Sequence, residues 1–188
     1  MQEKIKNITL SAMFIALGIV LPRFTGQIKE LGQAFLPMHI PVLLCGLIVG
    51  PVNGLIVGFV LPFLNHFTSA TGKPDLYPDA IAMAFELATY GFVAGYIYKV
   101  SRWKCIIALY ESLIIAMIAG RIVWGIVQMI LLGVNGKTFT YQAFIAGAFL
   151  KSIPGIVFQL IFIPTLMLAL HKTGLVRIHK KKLVKSEV

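Results

Sequence analysis

From residue 8 to residue 170 the sequence contains no long polar stretch; apolar runs follow one another, separated by short connections marked by Pro, Gly or charge. With 58% apolar and 13% charged residues in 188, the chain carries more hydrophobic surface than a soluble domain of that length can bury. The expected class is an all-α integral membrane protein. A cytosolic enzyme, a nucleic-acid module and a disordered linker would each need long polar stretches, and are excluded.

Six apolar segments can be drawn, at about 5–22, 38–50, 52–66, 78–99, 105–133 and 142–170. They predict a six-transmembrane-helix bundle over residues 1–171, followed by a basic tail at 172–188. The N-terminal run lacks a small-x-small cleavage site and ends at "LPRF", so it is kept as the first membrane helix rather than a signal peptide. The second and third segments are short against the ~20 apolar residues that a crossing needs. Pro41, Pro51 and Pro62 interrupt them, and short, Pro-broken spans are what transporters use to build sites within the bilayer.

A formal charge of +10 would suggest nucleic acid as a partner of a soluble protein, but the positions of the cations argue against it. Eleven of them, Lys4, Lys6, Lys99, Arg102, Lys104, Lys172, Arg177, Lys180, Lys181, Lys182 and Lys185, fall at the N-terminus, in one short connection and in the tail. Four others, Arg23, Lys29, Lys73 and Lys137, are spread over three further loops. Six crossings place the eleven on one side and the four on the other, which is the positive-inside pattern with both termini cytoplasmic. The tail "HKKKLVKSEV" then serves topology and attraction to anionic lipid of the bilayer.

Small residues recur at helical spacing. Gly46, Gly50, Gly54 and Gly58 do so around a turn at Pro51 and Asn53, and Ala80, Ala84 and Ala88 do so in the fourth segment; close packing inside the bundle is the expected reason. On the first helix Ala12 and Ala16 offer a flat strip where an external partner helix competes with that explanation. Cys45 and Cys105 sit in or beside apolar runs with no CxxC and no His at ligand spacing, and read as buried small hydrophobes.

Three ionisable residues lie deep in apolar segments: Glu86, Arg121 and Lys151. Counted from the outer ends of their helices they come to a shared level, roughly 12 to 18 Å down at 1.5 Å per residue. A charge there costs at least ~2.5 kcal/mol, so each must face a partner or a wet cavity. One carboxylate cannot neutralise two cations, and the surplus asks for an anion, with Arg offering a fork and Lys a point charge to a carboxylate. Arg121, Trp124 and Gln128 share one face of the fifth helix; Glu86 and Tyr90 pair at i, i+4; His39 and Asn65 lie toward the outer ends of the two short helices, and Phe35 in the longest outer loop. No HExxH, GxSxG, Walker A or paired intramembrane carboxylate occurs, so no catalytic residue, metal site or cofactor is assigned and the chain is not read as an enzyme.

These features resemble the substrate-binding S-components of bacterial energy-coupling factor (ECF) vitamin transporters. The likeness rests on about 190 residues in six helices with cytoplasmic ends, on "SAMFIA" placing Ala12 and Ala16 at the family's AxxxA position, on "LPMHIPVLLCGLIVGPVNGLIVGFVLP", and on long outer loops after helices one, three and five. It implies a multi-pass protein of the bacterial plasma membrane. Such a protein binds a small vitamin with high affinity and docks through Ala12 and Ala16 on a transmembrane T-component driven by two ATPase subunits. Net positive charge in the pocket favours an acid such as pantothenate; folate, nicotinate and a biotin-like acid also satisfy it. Riboflavin or a pyrimidine precursor would lean on stacking by Trp124, Phe35 and Tyr90. The alternative is a self-sufficient secondary transporter of a small organic anion.

Overall fold

The computed structural model describes residues 2–25, 37–68, 76–101, 106–134 and 153–172. These form α1 (Gln2–Thr25), α2 (His39–Ile48), α3 (Pro51–Thr68), a π-helical turn (Leu76–Ala80) running into α4 (Ile81–Val100), α5 (Ile106–Val134) and α6 (Ile153–Lys172). Five of these stretches are long and apolar enough to cross a membrane; α2 is the exception. At ten residues it spans about 15 Å, half of a hydrocarbon core of about 30 Å. Its nine residues from His39 to Leu47 are all buried, so protein and not lipid surrounds it.

The prolines act more gently than the sequence suggests. Pro41 lies in the first turn of α2 and Pro51 opens α3, where a missing N–H removes no helical hydrogen bond. Pro62 does not interrupt the third segment: α3 runs unbroken for 18 residues through it. The bond that its missing N–H would have made to the Gly58 carbonyl is lost, and helices packed around α3 tolerate that loss. The turn between α2 and α3 is made by Gly50 at φ 125°, in the left-handed region that favours glycine. Cys45 O accepts from both Val49 N and Gly50 N, at 2.9 and 3.2 Å, closing the end of α2.

Of the glycines read as packing positions, Gly46, Gly54 and Gly58 do pack, whereas Gly50 has no atom within 4 Å of where a Cβ would sit and serves the turn instead. A Cβ on Gly54 would come 2.6 Å from the Gly91 carbonyl oxygen and 2.7 Å from Gly46 Cα, and one on Gly58 would overlap the Leu87 carbonyl. Gly46 and Gly95 meet in the same way, so α2, α3 and α4 touch backbone to backbone. Ala80, Ala84 and Ala88 are buried as well. This seam makes α4 the axis of the bundle, packed against α2, α3 and α5.

Around the axis, α5 runs antiparallel to α4 with Gly120 under the Tyr90 ring, and α6 rests on α5 and α2. The first helix is peripheral. It lies along α2 and α3, with Gly18 against Leu61, Ser11 Oγ 3.9 Å from the buried Cys45 Sγ, and Arg23 Nη2 donating to Thr68 O at 2.7 Å. Ala12 and Ala16 face outward, beside exposed Met13, Leu17 and Val20. On α5, Ile114, Ile115, Ile118, Ile122 and Ile126 form a similar exposed apolar surface, as lipid contact requires.

Gly58→Val should lower the melting temperature of the detergent-purified protein by an amount equivalent to about 1 to 3 kcal/mol, because the added carbons meet backbone. Ile126→Val, on the exposed face of α5, should leave it nearly unchanged.

Candidate functional site

Three helices converge on one carboxylate oxygen. Glu86, 2% exposed in the middle of α4, receives at Oε1 a hydrogen bond from Tyr90 Oη at 2.9 Å, one turn along the same helix. The same oxygen lies 3.1 Å from Arg121 Nη1 on α5 and 3.7 Å from His39 Nε2 at the start of α2. The His39 and Tyr90 rings are tilted against each other with centroids 5.2 Å apart. Of the two deep cations, Arg121 forms an ion pair with Glu86. Lys151 lies outside the described residues, as does Phe35.

The pair satisfies the glutamate better than the arginine. Arg121 is 5% exposed, yet its Nε and Nη2 have no hydrogen-bond partner among the described residues. Those two N–H groups lie parallel along one edge of the guanidinium, the geometry that grips a carboxylate in two places. Buried donors left without acceptors cost free energy, more so away from water. Both ring nitrogens of His39 and Nε2 of the fully buried Gln159 on α6 are in the same condition.

One helical face continues the polar surface. Gln128 sits seven residues beyond Arg121, hence on the same stripe of α5 and about 10 Å away along the axis. Its Nε2 donates to Asp79 Oδ1 at 3.1 Å, across from the π-helical turn. Trp124, half-buried, stands between the two on α5. Asn65 is placed beside the first turn of α2, its Nδ2 2.9 Å from Met38 Sδ. The structure therefore unites Glu86, Tyr90, Arg121 and His39, strings Trp124 and Gln128 along from them, and sets Asn65 next to His39's neighbour.

Two residues escaped the sequence reading. Gln159 was legible as a lone amide in the apolar run "IVFQLIFIP". Asp79, in "YPDA", stands at the start of the segment drawn at 78–99, and nothing before the fold tied it to Gln128, 49 residues away. Two cavities lie apart from this cluster. One of about 290 Å³ opens at the Gly50 turn beside Tyr98 and Lys99, and one of about 270 Å³ forms an apolar groove between Phe59, Phe85 and Phe92.

Apolar helices long enough to cross a membrane enclose this charged cluster. The family model described as ECF transporter, substrate-specific component, matches residues 6–176. The chain belongs to this family. No curated protein and no solved structure matches it. As an ECF substrate-specific component the protein is a substrate-binding subunit of a transporter, a binding component and not a member of an enzyme family. Its apolar helices agree with a multi-pass membrane protein.

Removing one partner from the central pair should be worse than removing both. Glu86→Leu and Arg121→Met are each expected to destabilise the purified component by about 3 to 5 kcal/mol, and the double variant by clearly less, in thermal unfolding in detergent.

Proposed function

We propose that this ECF component captures a small carboxylate-bearing solute, of which pantothenate is the leading example, from outside the cell. It passes the solute inward in complex with a T-component and two ATPase subunits. The observation that carries the reading is the buried Nε and Nη2 edge of Arg121, unpartnered among the described residues. A carboxylate is the group that fills both positions at once. Glu86 and Tyr90 hold the guanidinium in place, while His39, Gln128, Asn65 and, from outside the described residues, Lys151 and Phe35 complete the pocket. Trp124 supplies a flat wall for the solute's carbon skeleton.

The same reading orients the chain. α1 runs alongside α3, and α4 returns antiparallel, so Lys4, Lys6 and Lys99 gather at the end of the bundle that carries the Gly50 turn, with Arg23 at the other. We take the first end as cytoplasmic, with six crossings, both termini inside and the basic tail 172–188 against anionic lipid of the bacterial plasma membrane. The pocket cluster then lies toward the exterior. Ala12 and Ala16, exposed on the peripheral α1, form the docking strip for the T-component.

Pantothenate binding to the nanodisc-embedded protein, followed by calorimetry, tests the pocket. Arg121→Lys retains the charge and loses the fork, and should weaken binding about 10- to 100-fold, the range of a charge-assisted hydrogen bond. Unchanged affinity would sink the proposal. For docking, Ala12→Trp should bind pantothenate as the wild type does yet abolish uptake in cells expressing the T-component and ATPases; normal uptake would remove the strip from the mechanism. Transport by the purified chain alone in liposomes, lost when an ion gradient is collapsed, would favour a secondary transporter instead.

A further inference from the structure

The polar stripe of α5 is directional. Among the described residues, Arg121 offers two unpartnered donors at the deep end, and Gln128, 7% exposed, offers an unpartnered acceptor, Oε1, at the outer end. That polarity is set by Asp79. A carboxylate can only accept in the bond it makes with Gln128, so it fixes Nε2 toward itself and turns Oε1 away. The contacts are matched in register. Glu86 and Asp79 are seven residues apart on one side, Arg121 and Gln128 seven apart on the antiparallel neighbour, and each acid meets the polar group opposite.

From this we propose that the site selects monocarboxylic acids that carry a hydroxyl or N–H donor about 10 Å from the acid, and that Asp79 is the positioning residue that enforces the choice. The inference rests on the carboxylate reading above and adds a length and a polarity to it. A ligand bearing a second carboxylate at the outer end meets the Gln128 Oε1 acceptor and the negative charge of Asp79, and is rejected. A short acid such as nicotinate fills the Arg121 edge but cannot reach Gln128. Pantothenate, with one carboxylate and a terminal hydroxyl far from it, meets both conditions, whereas folate, with two carboxylates, fails the first.

The test uses three probes on the nanodisc-embedded protein: pantothenate, 9-hydroxynonanoate and nonanedioate, the last two differing by a hydroxyl or a carboxylate at one end of a chain of about the required length. Calorimetric titration is followed in parallel by tryptophan fluorescence. The wild type should prefer 9-hydroxynonanoate to nonanedioate by about tenfold or more. In Asp79→Asn the Gln128 amide is released to rotate and the repelling charge is gone, so that ratio should fall to within about threefold. A change of fold alone would weaken both probes together and leave the ratio where it was. Equal wild-type affinity for the two nine-carbon acids overturns this selection rule while leaving the carboxylate reading intact. An unaltered ratio in Asp79→Asn overturns the role of Asp79. Failure of all three probes to bind overturns both readings.

Discussion

The backbone contact among α2, α3 and α4 is the constraint from which the remainder follows. In a bilayer, helices gain little from hiding apolar side chains from one another, because lipid tails are equally apolar; close approach and dispersion must hold them together. Gly54 and Gly58 on α3 and Gly91 and Gly95 on α4 remove the side chains that would keep the axes apart. The same contact encloses α2, a helix too short to cross by itself. Enclosure brings its first residue, His39, against Glu86 and Tyr90, so the polar cluster inherits its geometry from residues that have no side chain.

Within that cluster the chemistry is asymmetric. A single oxygen of Glu86 takes Tyr90, Arg121 and the approach of His39, while the far edge of Arg121 has nothing to donate to among the described residues. A pair of this kind, buried and stripped of water, holds a cation in a fixed orientation without exhausting its hydrogen-bonding capacity. The outer end of the stripe reverses the arrangement: there the amide of Gln128 is held by an acid and its acceptor is left over.

Much of the architecture was legible because lipid imposes a simple rule, that long apolar segments with paired backbone become helices. The boundaries of α3, α4 and α5 fall within a few residues of those drawn from hydropathy, and Gly46, Gly54 and Gly58 meet neighbouring backbone as their spacing implied, Gly50 being taken by the turn. Pro62 misled, because a helix packed among neighbours continues through a proline that would break an isolated one. Depth counting brought Glu86 and Arg121 to one level, and they do meet. Asp79 was invisible for the opposite reason: its significance is a long-range pairing across two antiparallel helices, and its neighbours in sequence carry no trace of it. Phe35, Lys151 and Cys105 lie outside the described residues, so the sequence remains their only witness.

The peripheral seat of α1 has a mechanical meaning. It touches α2 and α3 but is not among the principal neighbours of α4 or α5, which hold the acid, the arginine and the amide. A protein bound on its outer strip is therefore insulated from the ligand by an intervening layer of helix. Contact between that strip and the polar group runs through α2 and α3, which both touch α1 and α4, and α2 lends the group its opening residue, His39.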